Sequence, residues 1–198
     1  MALTFPSWTN MSDAFAGLAR APVTVLPWGD GFALFATDRN GTVMCAGGDP
    51  QNGLMGAWAS GSEGFLGSPG GTVAAVPWSE AFVVAAMGVY GAMAMTTGDP
   101  QNGLDGHWSG GAGFFGSPGG PVAAVPSWET LAFAAVDKTG AVRATLGDLQ
   151  NGLDGWTAVA GLTTTAGGTV TIVAEGTAVD LFAVDSSGAV GGSAAASR

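Results

Sequence analysis

The sequence predicts an all-β fold, a four-bladed β-propeller of four-stranded antiparallel blades, and three observations carry that expectation. The first is composition. The 198 residues include 35 Gly and 10 Pro, yet only 10% are charged and 47% are hydrophobic; a chain so rich in turn formers and poor in charge folds as short strands joined by tight turns. The second is an internal period of about 49 residues, met four times. The third is an offset: the chain opens with a piece that its last repeat lacks.

The repeats align on the strand that follows each Gly-rich turn. They read "PVTVLPWGDGFALFATDRNGTV" from Pro22, "TVAAVPWSEAFVVAAMGVYGAM" from Thr72, "PVAAVPSWETLAFAAVDKTGAV" from Pro121 and "TVTIVAEGTAVDLFAVDSSGAV" from Thr169, so the starts advance by 50, 49 and 48 residues. A tryptophan register, Trp8, Trp58, Trp108 and Trp156, precedes these starts by 14, 14, 13 and 13 residues. The four units account for residues 1–198 as one propeller domain. Within the first unit the short apolar runs predict strands at Val23–Pro27, Phe32–Thr37, Thr42–Ala46 and Leu54–Trp58. Each is bounded by Gly, Pro, Asn or Asp. "DRNG", "DKTG" and "DSSG" read as hairpin turns whose closing glycine takes positive φ, and the second unit has "GVYG" in their place. Four antiparallel strands at this period match a propeller blade.

Closure follows from the offset. The last unit supplies three strands and runs out in "GGSAAASR", whereas the chain starts with "ALTFPSW", so the N-terminal strand is expected to complete the last blade. Pairing two open edges removes an aggregation hazard. A two-chain ring of eight blades could exchange the same strands and remains an alternative. Alanine-rich inner strands, "VAAV" twice, favour the smaller ring, because few blades crowd the axis. A β-trefoil has units of similar size, but three of them.

One polar loop is written three times: "GDPQNGL" at 48–54 and 98–104, then "GDLQNGL" at 147–153. Strands of an antiparallel blade alternate in direction, so this loop after strand three leaves the same end as the loop after strand one. That first loop carries Trp28, Trp78 and Trp128, while Glu175 falls near this position in the fourth unit. The candidate binding residues are therefore Trp28, Asp49, Gln51 and Asn52; Trp78, Asp99, Gln101 and Asn102; and Trp128, Asp148, Gln150 and Asn151. An aromatic face beside amide and carboxylate groups suits a sugar, whose C–H side packs on the ring while its hydroxyls meet donors and acceptors. Turn chemistry offers another account of Asp, Asn and Gly, with the aspartates making Asx-turns. It does not explain the recurring glutamine. The other register, Trp8, Trp58, Trp108 and Trp156, occurs in every unit and reads mainly as blade packing.

These motifs resemble the tectonin-like and PLL-like β-propeller lectins of fungi and bacteria. The likeness rests on the unit length, on strands followed by Asp-x-x-Gly as in "LFAVDSSGAV", and on the closing tryptophan strand as in "NGLDGWTAVAGL". It spans essentially the whole chain. The resemblance implies ligands such as fucose, N-acetylglucosamine or their methylated relatives, bound in pockets near or between blades. This chain departs from the pattern in having one closing tryptophan where relatives often have two, and four units where relatives usually have five to seven.

Other chemistries find little support. The single histidine, His107, aligns with Ala57 and Gly155, and no repeat sets a Ser or Cys beside a base, so no enzyme is expected. The acids after the loop tryptophans, Asp30, Glu80 and Glu129, recur as a binding repeat would rather than as one glycosidase pair. Calcium at "DPQNGLD" and "DLQNGLD" is weakened by Met55, which stands where the other units have Asp. No metal or cofactor is assigned. Fifteen acidic residues against five basic ones, a net charge of -10, repel nucleic acid and anionic membranes. Lone Cys45 reads as a buried thiol. With no signal-like start and no membrane span, a cytoplasmic location is expected, with non-classical secretion as the route outward. The functional expectation is a lectin with up to three equivalent glycan sites on one face, multivalent and agglutinating, as a monomer or small homo-oligomer. The alternative is a non-catalytic scaffold binding a protein partner or a protease through that face.

Overall fold

The computed structural model of the chain describes residues 15–55, 58–61, 64–111 and 113–196. All regular structure among them is β, in four antiparallel sheets. The first sheet holds β1 (Thr24–Trp28), β2 (Gly31–Thr37) and β3 (Val43–Asp49), with short β4 (Gly53–Leu54) and β5 (Ala59–Ser60) both paired to β3. The second repeats this with β6 (Val73–Trp78), β7 (Ala81–Met87), β8 (Met93–Asp99), β9 (Gly103–Leu104) and β10 (Ser109–Gly110). The third has β11 (Val122–Ser127), β12 (Thr130–Val136), β13 (Ala141–Asp148), β14 (Gly152–Leu153) and a longer β15 (Thr157–Thr163). The fourth is β16 (Val170–Glu175), β17 (Ala178–Val184) and β18 (Val190–Ala196).

The outer strand differs from the sequence expectation. A single run such as Leu54–Trp58 was expected, but two separate pieces, both short in the first two sheets, pair with the third strand instead, making the first three sheets five-stranded. In the second unit Gly106, at φ 78°, bends the chain between β9 and β10, while in the third the strand breaks without a left-handed glycine at Gly155. The expected closure by the N-terminal strand, with Trp8, lies outside the described residues. Among those described, β18 pairs with β17 alone.

Successive inner strands β1, β6, β11 and β16 lie side by side in chain order, while β16 and β1 are not among the closely packed pairs. Each junction between sheets buries its own apolar cluster. Phe35, Val43 and Cys45 of the first sheet meet Phe82, Val84 and Ala86 of the second. Val83, Ala85 and Met93 on the opposite face of the second meet Leu131 and Phe133 of the third. Ala134, Val136 and Val142 then meet Leu181 and Ala183 of the fourth. A middle strand is thus covered on both faces, which is why "FVVAAM" and "LAFAAV" are unbroken apolar runs rather than alternating ones. Burial drives a Cys45 thiol at one junction up to about 12, with the nearby Asp99 charge adding to it, so this cysteine behaves as a small core hydrophobe.

Aromatic stacking adds to the first two of these junctions and to the start of the first sheet. Trp58, Trp108 and Trp156 each stack on a phenylalanine of the preceding segment, Phe15, Phe65 and Phe114, with ring centroids 4.6, 4.3 and 4.3 Å apart. Trp108 also donates its Nε1–H to the Gly61 carbonyl. These contacts make that register a packing device.

The hairpin turns between second and third strands follow the sequence reading. Their glycines, Gly41, Gly91, Gly140 and Gly188, all have φ between 78° and 88°. Asp137 anchors its turn by accepting hydrogen bonds from the Thr139 N–H (2.8 Å) and hydroxyl (2.5 Å), the Ala141 N–H (3.1 Å) and Arg143 Nε (2.7 Å). Burial pushes the Asp137 carboxyl up, but these donors outweigh it and hold the group at about 2. A lowered folded-state value contributes stability above the ordinary carboxylate range near about 4 and loses it as pH falls through that range towards the folded value. Asp137→Asn is therefore expected to cost about 2 kcal/mol at neutral pH, in urea denaturation, and the gap from the parent should narrow as pH falls from about 4 to about 2. A gap independent of pH would contradict this role.

Candidate functional site

The turn joining first and second strands has one geometry in all four sheets. Trp28 pairs with Gly31, Trp78 with Ala81, Ser127 with Thr130 and Glu175 with Ala178. The next residue is left-handed each time: Gly29, Ser79, Trp128 and Gly176 have φ of 54°, 56°, 54° and 60°. Trp128 consequently stands one position beyond the register of Trp28 and Trp78. Those two close their strands and pack, half-buried, against the junction clusters; Trp28 meets the Phe82 ring edge-on at 6.0 Å. Trp128 is 75% exposed, and buried Ser127 occupies its expected place with its Oγ unpartnered among the described residues. The signal for this slip was in the sequence, where "VPSWE" has one residue more before its tryptophan than "VPWSE".

The thrice-repeated loop also has one geometry. Asp49 Oδ1 accepts the Gln51 and Asn52 N–H groups, both at 2.7 Å, and Oδ2 accepts Asn52 Nδ2 at 2.9 Å. Asp99 with Gln101 and Asn102, and Asp148 with Gln150 and Asn151, repeat the pattern at 2.6–2.8 Å. The Asn side-chain bond, followed by its backbone N–H, holds all three carboxyls below the usual range. Asp and Asn thereby satisfy one another as a loop clamp, as the turn-chemistry reading expected. Gln51, Gln101 and Gln150 contribute only backbone N–H to that clamp, and all three are exposed.

Loop and tryptophan meet across a junction. The second sheet's loop leans over the first sheet so closely that a Cβ on Gly47 would lie 3.0 Å from the Pro100 carbonyl oxygen. Between them opens a cleft of about 540 Å³, within the range of small-ligand sites. Its walls include Trp28, Asp30 and Asp49 from the first sheet and Glu80, Asp99, Gln101 and Asn102 from the second. Gln51, Asn52 and Trp78 are not part of this lining. Of the expected groupings, Trp28 and Asp49 therefore come together with the glutamine of the next unit. Phe32, Met55 and Pro100 line the cleft without having been singled out for binding. Met55 did stand out as the one departure from Asp at its place in the repeat. A smaller cleft of about 210 Å³ lies between Thr97, His107 and Trp108 of the second sheet and Leu149 of the third. Among the described residues, no three His, Cys, Asp or Glu side chains gather where a metal could bind, and no helix is long and apolar enough to cross a membrane.

Solved structures carry the same arrangement of sheets. The BP39L lectin from Burkholderia pseudomallei superposes on 100% of this chain with a TM-score of 0.77 at 21% identity. The fold is that of the β-propeller lectins. The Aleuria aurantia lectin, described as a six-bladed β-propeller with a novel fucose recognition mode, matches 88% of the chain (TM-score 0.59, 14% identity), and AofleA from Arthrobotrys oligospora matches 90% (TM-score 0.60, 16% identity). The chain spans 59%, 58% and 55% of those three proteins. No family model and no curated protein matches the sequence.

Left-handed backbone at a bulky residue costs on the order of 1 kcal/mol, which glycine would not incur. Trp128→Gly is expected to raise stability by about that amount in thermal or urea unfolding. A loss of stability instead would show that the exposed ring makes contacts that hold the fold.

Proposed function

We propose that this chain is a carbohydrate-binding lectin that takes neutral glycans into clefts between adjacent sheets. The observation that carries the reading is the cleft where the Trp28 ring, the clamped loop of the second sheet and exposed Gln101 converge. The half-buried ring supplies an apolar floor for the C–H face of a pyranose, and Gln101 keeps both a donor and an acceptor for hydroxyls. The clamp holds the loop rigid before a ligand arrives, so little order has to be imposed on binding. Asp30, Glu80, Asp49 and Asp99 line the cleft without any Lys or Arg. That charge selects against sialylated and sulfated glycans. Proteins of the same fold have been solved with fucosides: the Aleuria aurantia lectin with Fucα1-6GlcNAc and SapL1 with α-methyl fucoside. Fucose is accordingly the first sugar to test here.

Pairing across a junction changes the arithmetic of sites. Trp28 answers to Gln101; by the repeat Trp78 answers to Gln150, where Thr97 stands in place of Gly47 and the cleft at that junction is lined instead by Thr97, His107, Trp108 and Leu149. The two sites per chain, rather than three, therefore differ in shape. Trp128 lies off the register and is followed by no further copy of the loop. Two rigidly spaced sites bind a glycan-covered surface by avidity, and cross-linking of cells follows from it.

Trp28→Ala with Gln101→Ala is expected to halve the stoichiometry for α-methyl fucoside in calorimetry, leaving the affinity of the remaining site unchanged. Full stoichiometry in the folded double variant would refute the cleft assignment. Absence of binding by the parent chain to any neutral sugar on a glycan array would refute the lectin reading and favour a protein ligand.

A further inference from the structure

The two end sheets expose faces that the repeat buries everywhere else. On the face each sheet turns towards its successor, Phe35 and its second- and third-unit equivalents Ala85 and Ala134 are buried, as are Thr37, Met87 and Val136, and Val43, Met93 and Val142. The same three positions in the fourth sheet are Phe182, Val184 and Val190, exposed by 43%, 51% and 74%. The first sheet mirrors this on the face turned towards a predecessor. Val73, Val122 and Val170 are buried in the inner strands of the later sheets, whereas their counterpart Val23 is 51% exposed and neighbouring Val25 57% exposed.

These open faces are the two halves of one junction. The junction is made three times within the chain by the same repeat positions, so a fourth-sheet face and a first-sheet face have the shapes and spacing to join. Among the described residues, β16 and β1 are not among the closely packed pairs. The arc follows rings longer than itself, spanning 59% of BP39L and 58% of a six-bladed lectin. Two copies supply eight sheets, within the range of propeller rings.

We propose that the fourth sheet of one copy packs against the first sheet of a second copy, so that two chains close head-to-tail into one ring. Such a contact is heterologous, joining different surfaces of the two chains, and it closes into a ring when each four-sheet arc spans half a turn. Light scattering of the purified full chain should give twice 19.4 kDa. Phe182→Asp, or Val190→Asp should the first fold poorly, blocks one half of the junction; Val25→Asp blocks the other. Each variant alone is expected to run as a monomer with unchanged circular dichroism. An equimolar mixture of the two kinds keeps one intact junction and should reassociate into an open pair at raised concentration. A parent chain that is monomeric, as would follow if residues 1–14 covered the fourth sheet within the same chain, overturns the proposal. So does a dimer that survives both substitutions, or a mixture in which nothing reassociates.

Discussion

The structure depends on one contact made again and again, the packing of a sheet's face against the next sheet in the chain. The first two junctions each stack a Phe on a Trp, and all three fill the space between facing sheets with apolar side chains. Stacked aromatic pairs contribute about 0.5–1.5 kcal/mol beyond the area they bury, and the aliphatic cluster adds its own burial. Among the described residues, every core cluster is shared by two sheets. Stability therefore resides in neighbours, as in other repeat architectures.

The location of the candidate site follows from this contact. A loop held by its own Asp–Asn clamp offers little alone, because its Asp and Asn side chains are satisfied within it and only the Gln side chain is left over. It gains a partner only where the junction swings it over the preceding sheet, above Gly47 and beside Trp28. Glycine at position 47 is what lets Pro100 approach so closely. A cleft built by two repeats also explains why Trp and Gln recur in step along the sequence while meeting in different units. Binding and packing then share one origin, and a ligand between two sheets would brace the contact that holds them.

Much of the fold was legible because its signals are local. The period, the antiparallel strands and the Asp-x-x-Gly turns depend on residues close in sequence, and the structure has them where the repeats put them. The blade-packing role of Trp108 and Trp156 was legible too, from their presence in every unit. The broken outer strand was not read, because a glycine between two short apolar runs looks like ordinary punctuation in the sequence. Trp128 misled for a different reason. Its neighbours "PSWE" and "PWSE" look interchangeable, yet a strand has a period of two, and one residue of slip moves a side chain from the junction into solvent. The partnership of Trp28 with Gln101 instead of Gln51 is a tertiary fact, set by how far one sheet leans over another. No spacing within a unit encodes it.

The proposed ligand contacts come from two adjacent sheets at once. The direct measurement is a titration of isotope-labelled protein with α-methyl fucoside, followed through the indole N–H signals and the glutamine side-chain amides. The account predicts that the Trp28 indole and the Gln101 amide shift together with one midpoint, while the Trp108 indole stays still. Shifts that couple Trp28 to Gln51 and leave Gln101 unmoved would contradict it.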